Sequence, residues 1–146
     1  MFIIIDIKPI LKTSNVLTVL SESVYMPTEE KLKNRVESYI NNSNVVAYGY
    51  RDNGIICGLI VIDRSKKEEI VILDIAVNKN IQRCGIGRKL VEYVLYNLKP
   101  NILIAETDDE AVNFYRKCGF IINNLGEKHP NIIRYECKYF SYDNLL

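Results

Sequence analysis

Gln82-Arg83-Cys84-Gly85-Ile86-Gly87-Arg88 stands between a β-branched apolar run and a stretch with helical spacing. The run before it, Glu69-Ile70-Val71-Ile72-Leu73-Asp74-Ile75-Ala76-Val77, reads as a mostly buried strand. After it, Leu90, Val91, Val94, Leu95 and Leu98 recur at helical spacing until Pro100 stops them. A strand, a glycine-containing loop and a helix N-terminus make an arrangement suited to holding phosphate. Gly85 and Gly87 lack Cβ, so the chain can turn tightly and bring several N–H groups to an anion. The helix end adds unpaired donors and partial positive charge, and Arg83, Arg88 and Lys89 add full charges. A Walker loop is excluded, because Gly87 is followed by Arg88-Lys89-Leu90 rather than Lys-Ser/Thr. A dinucleotide fingerprint is excluded because its third glycine position holds Leu90. What remains is Gln-x-x-Gly-x-Gly, carried by Gln82, Gly85 and Gly87, or a tight strand-to-helix turn that binds nothing.

A second motif follows in Thr107-Asp108-Asp109-Glu110-Ala111-Val112-Asn113-Phe114-Tyr115-Arg116-Lys117-Cys118-Gly119-Phe120. Thr107 and Glu110 have the spacing of a capping box, and Asp108 and Asp109 favour the positive end of a helix. Arg116 and Lys117 suit its negative end, and Gly119 suits a left-handed C′ position. Ile102–Ala105 supplies the preceding strand. Gln-x-x-Gly-x-Gly followed by Phe-Tyr-x-x-x-Gly-Phe, each after a strand, resembles the GCN5-related N-acetyltransferase (GNAT) family.

The chain's 146 residues suffice for one domain, 1–146, with a sizeable core. Hydrophobic and charged fractions of 48% and 25% are those of an ordinary globular protein, and a net charge of +1 gives no reason to expect nucleic acid or membrane as partner. Met1-Phe2-Ile3-Ile4-Ile5 meets Asp6 and Lys8 too soon for a signal core or a span, so a cytoplasmic location is expected by default. Cys57, Cys84, Cys118 and Cys137 are dispersed and His129 is the only histidine, so no zinc site and no disulfide framework is expected. Cys84, beside arginines at a helix start, is the one thiol whose pKa could be lowered.

No linker, repeat or low-complexity tract divides the chain. Phe2–Lys8 reads as a strand, Ser14–Tyr25 as a helix, and Pro27-Thr28 opens a second helix running to about Ile40. Leu32, Val36, Tyr39 and Ile40 form its apolar stripe. Val45–Arg51 and Ile55–Ile62 are strands joined by the hairpin signal Asp52-Asn53-Gly54, with Gly58 marking a bulge or a close approach. Phe120–Leu125 and Ile132–Phe140 close the chain around a Gly126–Asn131 loop. The expected fold is α/β (α+β mixed): a central, mostly antiparallel twisted sheet of about seven strands with one parallel pair, flanked by about four helices. The Glu69–Val77 and Ile102–Ala105 strands should be that pair, joined through the crossover helix. This order is similar to the acyl-CoA N-acyltransferase layout of the family, in its first third by layout alone. The resemblance further implies that the pair splays at one end to admit the pantetheine arm.

The resemblance implies acetyl-CoA as cosubstrate, no metal, and direct attack by a primary amine of a small molecule or peptide in a ternary complex. A lysine-like amine of pKa about 10.4 is only about one part in 2,500 neutral at pH 7, a penalty of roughly 4–5 kcal/mol. A carboxylate, directly or through water, can take that proton. Asp74 interrupts an apolar strand and is the candidate, unless it serves a wet edge or a hydrogen-bond network; His129 and water are alternatives. By resemblance, a bulge in this strand turns main-chain groups of Ile75, Ala76 and Val77 toward the thioester, an oxyanion-stabilising role. By the same resemblance, Gln82, Arg83, Cys84, Gly85, Ile86, Gly87 and Arg88 hold the pyrophosphate, and Tyr115 protonates the leaving thiolate. Asn113, two residues before that tyrosine, is a further candidate for a cofactor contact. Many relatives instead carry an asparagine seven residues before it, where this chain has Asp108. Monomer and homodimer remain open, as does a catalytically silent acyl-CoA-binding module in place of an enzyme.

Overall fold

Why one end of the sheet opens is the feature of the architecture that matters for function. In the computed structural model, residues 1–82 and 84–141 are described. The elements run β1 (Phe2–Asp6), α1 (Ser14–Leu20), α2 (Glu29–Ile40), β2 (Val45–Asp52), β3 (Ile55–Asp63), β4 (Glu69–Val77), α3 (Ile86–Leu98), β5 (Ile102–Thr107), α4 (Val112–Lys117), β6 (Ile121–His129) and β7 (Ile132–Phe140). The strands form one seven-stranded sheet in the order β1-β2-β3-β4-β5-β7-β6. Every neighbouring pair is antiparallel except β4–β5, which is parallel and joined through α3. This is the mixed sheet and four-helix complement expected from the sequence.

Two cores cover the two faces. Val16, Val19, Leu20, Val36 and Tyr39 from α1 and α2 pack with Leu59, Val61 and Ala76 on one face. Ile86, Leu90, Val91 and Val94 from α3, with Tyr115 from α4, pack with Ile60, Ile62, Leu103 and Cys137 on the other. Alternate residues of β3 thus serve alternate layers, as the period of a strand requires. Gly58 meets both expectations for it. An added Cβ there would come within 2.8 Å of the Ile86 Cγ2, and the β2–β3 register shifts beside it. The absent side chain lets the start of α3 lie close on the sheet.

Local chemistry explains the boundaries. Thr28 caps α2 by accepting from the Lys31 amide at 3.1 Å, with Glu29 and Glu30 at the positive end. Asn53 and Gly54 both have positive φ, 51° and 80°, which the tight β2–β3 turn demands. α1 ends earlier than the apolar spacing predicts, at Leu20, and passes into a 3₁₀ turn at Ser21–Ser23. There the Ser21 hydroxyl donates back to the Thr18 carbonyl and the Ser23 hydroxyl shares its one proton between the Leu20 carbonyl and Asp74, competing with continuation of the helix. The Gly126–Asn131 loop is also shorter than expected: β6 runs on through Gly126 to His129, bent by two register breaks, and turns at Asn131 with φ 65°.

Candidate active site

β4 and β5 pair over three positions only, Glu69–Ile102, Ile70–Leu103 and Val71–Ile104. Both strands then continue, β4 along β3 to Val77 and β5 along β7 to Thr107, but no longer along each other. The facing edges therefore carry backbone groups that the sheet does not use, and such groups require other polar partners. The divergence coincides with a β-bulge: Val61 pairs with Asp74 and Ile62 with Ile72, leaving Leu73 as the extra residue.

The bulge also changes what faces where. Ile70 and Ile72 pack in the α3 core, and in a regular strand Asp74 would follow them. With Leu73 inserted, Asp74 and Ala76 turn to the α1–α2 face, while Ile75 and Val77 face α3. The expected bulge is present, placed just before Ile75–Val77.

At the end of β4 the chain reaches α3. Gln82 Nε2 donates to the Val77 carbonyl at 3.0 Å, tying the loop to the strand. Gly85 occupies the N-cap position at φ 80°, ψ 10°, a left-handed conformation that glycine adopts without strain. No side chain caps this helix and no acid lies in its first turn. The first helical bond is from the Lys89 amide to the Gly85 carbonyl at 3.0 Å, so the amides of Ile86, Gly87 and Arg88 lie outside the helix's own set. A Cβ on Gly85 would meet nothing within 4 Å among the described residues. An open, uncapped helix N-terminus beside a parted strand pair fits a pyrophosphate followed by an amide-bearing arm. Cys84 is exposed and unbonded to another cysteine. Arg88 is exposed and pairs with Glu92 at 3.2 Å. Arg83 lies outside the described residues. Gly87 serves packing: a Cβ there would come within 2.9 Å of the Phe114 ring. The two sequence motifs thus touch, glycine of one against phenylalanine of the other.

α4 holds Tyr115 by its C-terminus. The Phe120 amide donates to the Tyr115 carbonyl and the Gly119 amide to the Arg116 carbonyl, both at 3.1 Å, with Gly119 at φ 94°. This is a Schellman arrangement, and its usual apolar contact is the Phe120 ring, 5.2 Å from that of Tyr115. The expected capping box at Thr107 is not formed. Thr107 is buried and pairs with Tyr135 in β5–β7. Asp108 takes the role instead, accepting from the amides of Glu110 and Ala111 at 3.0 and 3.3 Å. Tyr115 is only 4% exposed. Burial raises its pKa, with the nearby Cys137, Cys118 and Asp74 adding to the rise, so the phenol stays protonated throughout the neutral range. Asn113 lies exposed on the same helix and accepts from Arg116 at 2.5 Å.

Asp74 is the centre of a polar cluster on the α1–α2 face. Its Oδ1 accepts from Arg35 at 2.7 Å and Ser23 at 3.0 Å, and its Oδ2 from the Tyr39 hydroxyl. The Asp74 side chain is 3% exposed and that of Arg35 37%. Burial pushes the Asp74 carboxyl up from its ordinary value, against the lowering pull of Tyr39, Arg35 and Ser23. Asp74 is therefore the hub of a hydrogen-bond network, a situation its sequence context left open beside a wet edge and a general base. Ser23, Arg35 and Tyr39 have no sequence signal as site residues: Tyr39 reads only as part of an apolar stripe.

A family model, the acetyltransferase (GNAT) domain, matches residues 42–122. The chain belongs to the GNAT acetyltransferase family. It is an acetyl-CoA-dependent N-acetyltransferase. Among its relatives is the peptidyl-lysine N-acetyltransferase YjaB of Escherichia coli K12, 27% identical over 109 residues that cover 68% of this chain and 69% of the relative. A GNAT-family structure from Desulfovibrio desulfuricans superposes with a TM-score of 0.77 at 16% identity, covering 96% of this chain and 99% of that one. A Bacillus anthracis structure, described as a streptothricin acetyltransferase in complex with acetyl coenzyme A, matches with a TM-score of 0.60 at 27% identity. It covers 71% of this chain and 66% of that one. The GNAT match spans β2 to the start of β6, and so includes the bulge, the parted pair, the α3 N-terminus and Tyr115. Among the described residues no group of histidine, cysteine and carboxylate side chains is placed to hold a metal. None of their helices is long and apolar enough to cross a membrane.

Proposed function

We propose that the chain transfers the acetyl group of acetyl-CoA to a primary amine of a small molecule or peptide, by direct attack within a ternary complex. The observation that carries this is the parted β4–β5 pair ending at an uncapped helix N-terminus. In this reading the amides of Ile86, Gly87 and Arg88 receive the pyrophosphate, helped by the Gln82–Arg88 loop. The thioester arm passes between β4 and β5, where main-chain groups of Ile75–Val77 polarise its carbonyl. Donor and α3 share one face, so the amine arrives from the other, beneath α1 and α2. Nitrogen attacks the carbonyl carbon, the carbon–sulfur bond breaks, and the leaving sulfur is met by the Tyr115 phenol. A phenol held well above the usual thiol range acts chiefly by hydrogen bonding to that sulfur.

Asp74 is the carboxylate nearest the amine's route in this reading, and burial raises its pKa, the direction that makes a carboxylate a better proton acceptor. Its three donors mean that it works through the network or after a partner moves. Asn113, exposed and bonded within its own turn, is the weakest of the proposed donor contacts. Support for an amine acceptor comes also from the E. coli relative, which is named as acting on peptidyl lysine. The test is a panel of small amines and lysine peptides, following free thiol and acetylated product together. Thiol release matched by an acetylated amine is expected. CoA binding without product from any acceptor would instead mark a silent acyl-CoA-binding module.

A further inference from the structure

The outward group of the Asp74 cluster is Arg35, whose inner side meets Asp74 and Tyr39 and whose outer side is exposed. Asp74 is sealed beneath α2 and accepts from Ser23, Arg35 and Tyr39. Arg35 meets it through a single nitrogen, Nη1, at 2.7 Å, while 37% of the arginine side chain remains exposed. A guanidinium has five N–H donors in a planar fork, suited to a carboxylate. Asp74 engages one donor and the Tyr39 hydroxyl also lies against the guanidinium, which together fix the group; its outer, exposed donors face the opening. Asp74 lies just beyond the last β4–β5 pair, so Arg35 stands at the opening on the side opposite α3.

We propose that Arg35 is a specificity-determining residue that binds a carboxylate on the acceptor, and that the acceptor is therefore a small molecule carrying both an amine and a carboxylate. The inference rests on the acetyl-transfer reading above and narrows its acceptor. Arg35 binds the carboxylate, and Asp74, with Tyr39 and Ser23, holds Arg35 in place. A bare ammonium gains nothing from this wall, since a fixed positive charge faces it. A zwitterion gains a charge-assisted pair that also aims its nitrogen at the opening.

The experiment compares amino acids with their decarboxylated counterparts: lysine with cadaverine, phenylalanine with phenethylamine, and a lysine peptide with both ends blocked. The parent should favour the carboxylate-bearing member by roughly 10- to 100-fold in kcat/KM, the value of a hydrogen bond to a charged group. In Arg35→Gln that ratio should collapse toward one. Arg35→Lys should give an intermediate ratio, because a point charge replaces the fork. The double variant Arg35→Gln with Asp74→Asn, which leaves no unpaired buried charge, should show the same collapse if the single variant folds poorly. A parent that prefers the bare amine or the blocked peptide overturns the inference, as does an Arg35→Gln variant that slows both members equally. If no acceptor is turned over, the acetyl-transfer reading fails separately. Titration of the CoA-loaded protein with each pair then decides the inference, through preferential binding of the amino acid or its absence.

Discussion

Tyr115 combines near-complete burial with a position two residues before the end of α4, where Gly119 and Phe120 lock its backbone. Tyr115→Phe keeps the ring contacts to Phe114 and Phe120 and removes only the hydroxyl. CoA affinity should be retained, while turnover should fall about 10- to 1000-fold if the phenol assists the leaving sulfur. Unchanged turnover where chemistry limits the rate would remove Tyr115 from the mechanism. The two loop glycines separate packing from binding. Gly87→Ala places a methyl group 2.9 Å from the Phe114 ring and should destabilise the protein by about 1–3 kcal/mol through overpacking, measured by chemical denaturation. A variant as stable as the parent would show that Phe114 moves aside freely. Gly85 has no such neighbour, so its substitution probes the left-handed turn and the space before the helix.

The β4–α2 contact places charge between a mostly apolar strand and the apolar face of α2. Tyr39→Phe removes one of three donors to a buried carboxylate and should cost about 1–3 kcal/mol. A Tyr39→Phe protein with parental denaturation would mean that water replaces the hydroxyl. Asp74 adds a pH dependence of known sign. Its folded-state pKa is raised by burial, so its favourable contribution is complete below the ordinary value of 3.8 and is lost as pH rises toward the folded value. The parent should therefore gain stability relative to Asp74→Asn as pH falls from neutral, in melting curves taken across that range. A constant difference would mean that Asp74 titrates alike folded and unfolded. Much of this element-level order is legible in sequence. β4 has the expected limits, Glu69–Val77, because a β-branched run between turn residues leaves little choice. α1 is shorter than its apolar spacing suggests because serine hydroxyls intercept the backbone, and that shortening brings Ser23 to Asp74. α4 begins later because tertiary pairing claims Thr107 before it can cap.

Across the sheet, order and the parallel pair follow from local pattern plus one crossover, which is why the fold is readable without coordinates. The α3 N-terminus is equally readable, since glycines after a strand and before an amphipathic helix carry their own physical meaning. What residue spacing conceals is the position of the bulge, at Leu73, expected only through the family resemblance, and with it the face that Asp74 serves. The Asp74–Arg35–Tyr39–Ser23 cluster is concealed for the same reason: it exists only once α2 docks over β4. The donor-binding end of the site thus depends on local backbone, whereas the acceptor end depends on packing between distant segments. The most direct measurement is calorimetric titration of CoA into the parent and into Gly85→Val, whose β-branched side chain cannot adopt the φ of 80° without strain. The parent should bind one CoA per chain, and the variant, still folded by circular dichroism, should lose at least about tenfold in affinity, or roughly 1.4 kcal/mol. A parent that does not bind CoA, or a variant that binds it equally well, would contradict placement of the donor at the start of α3.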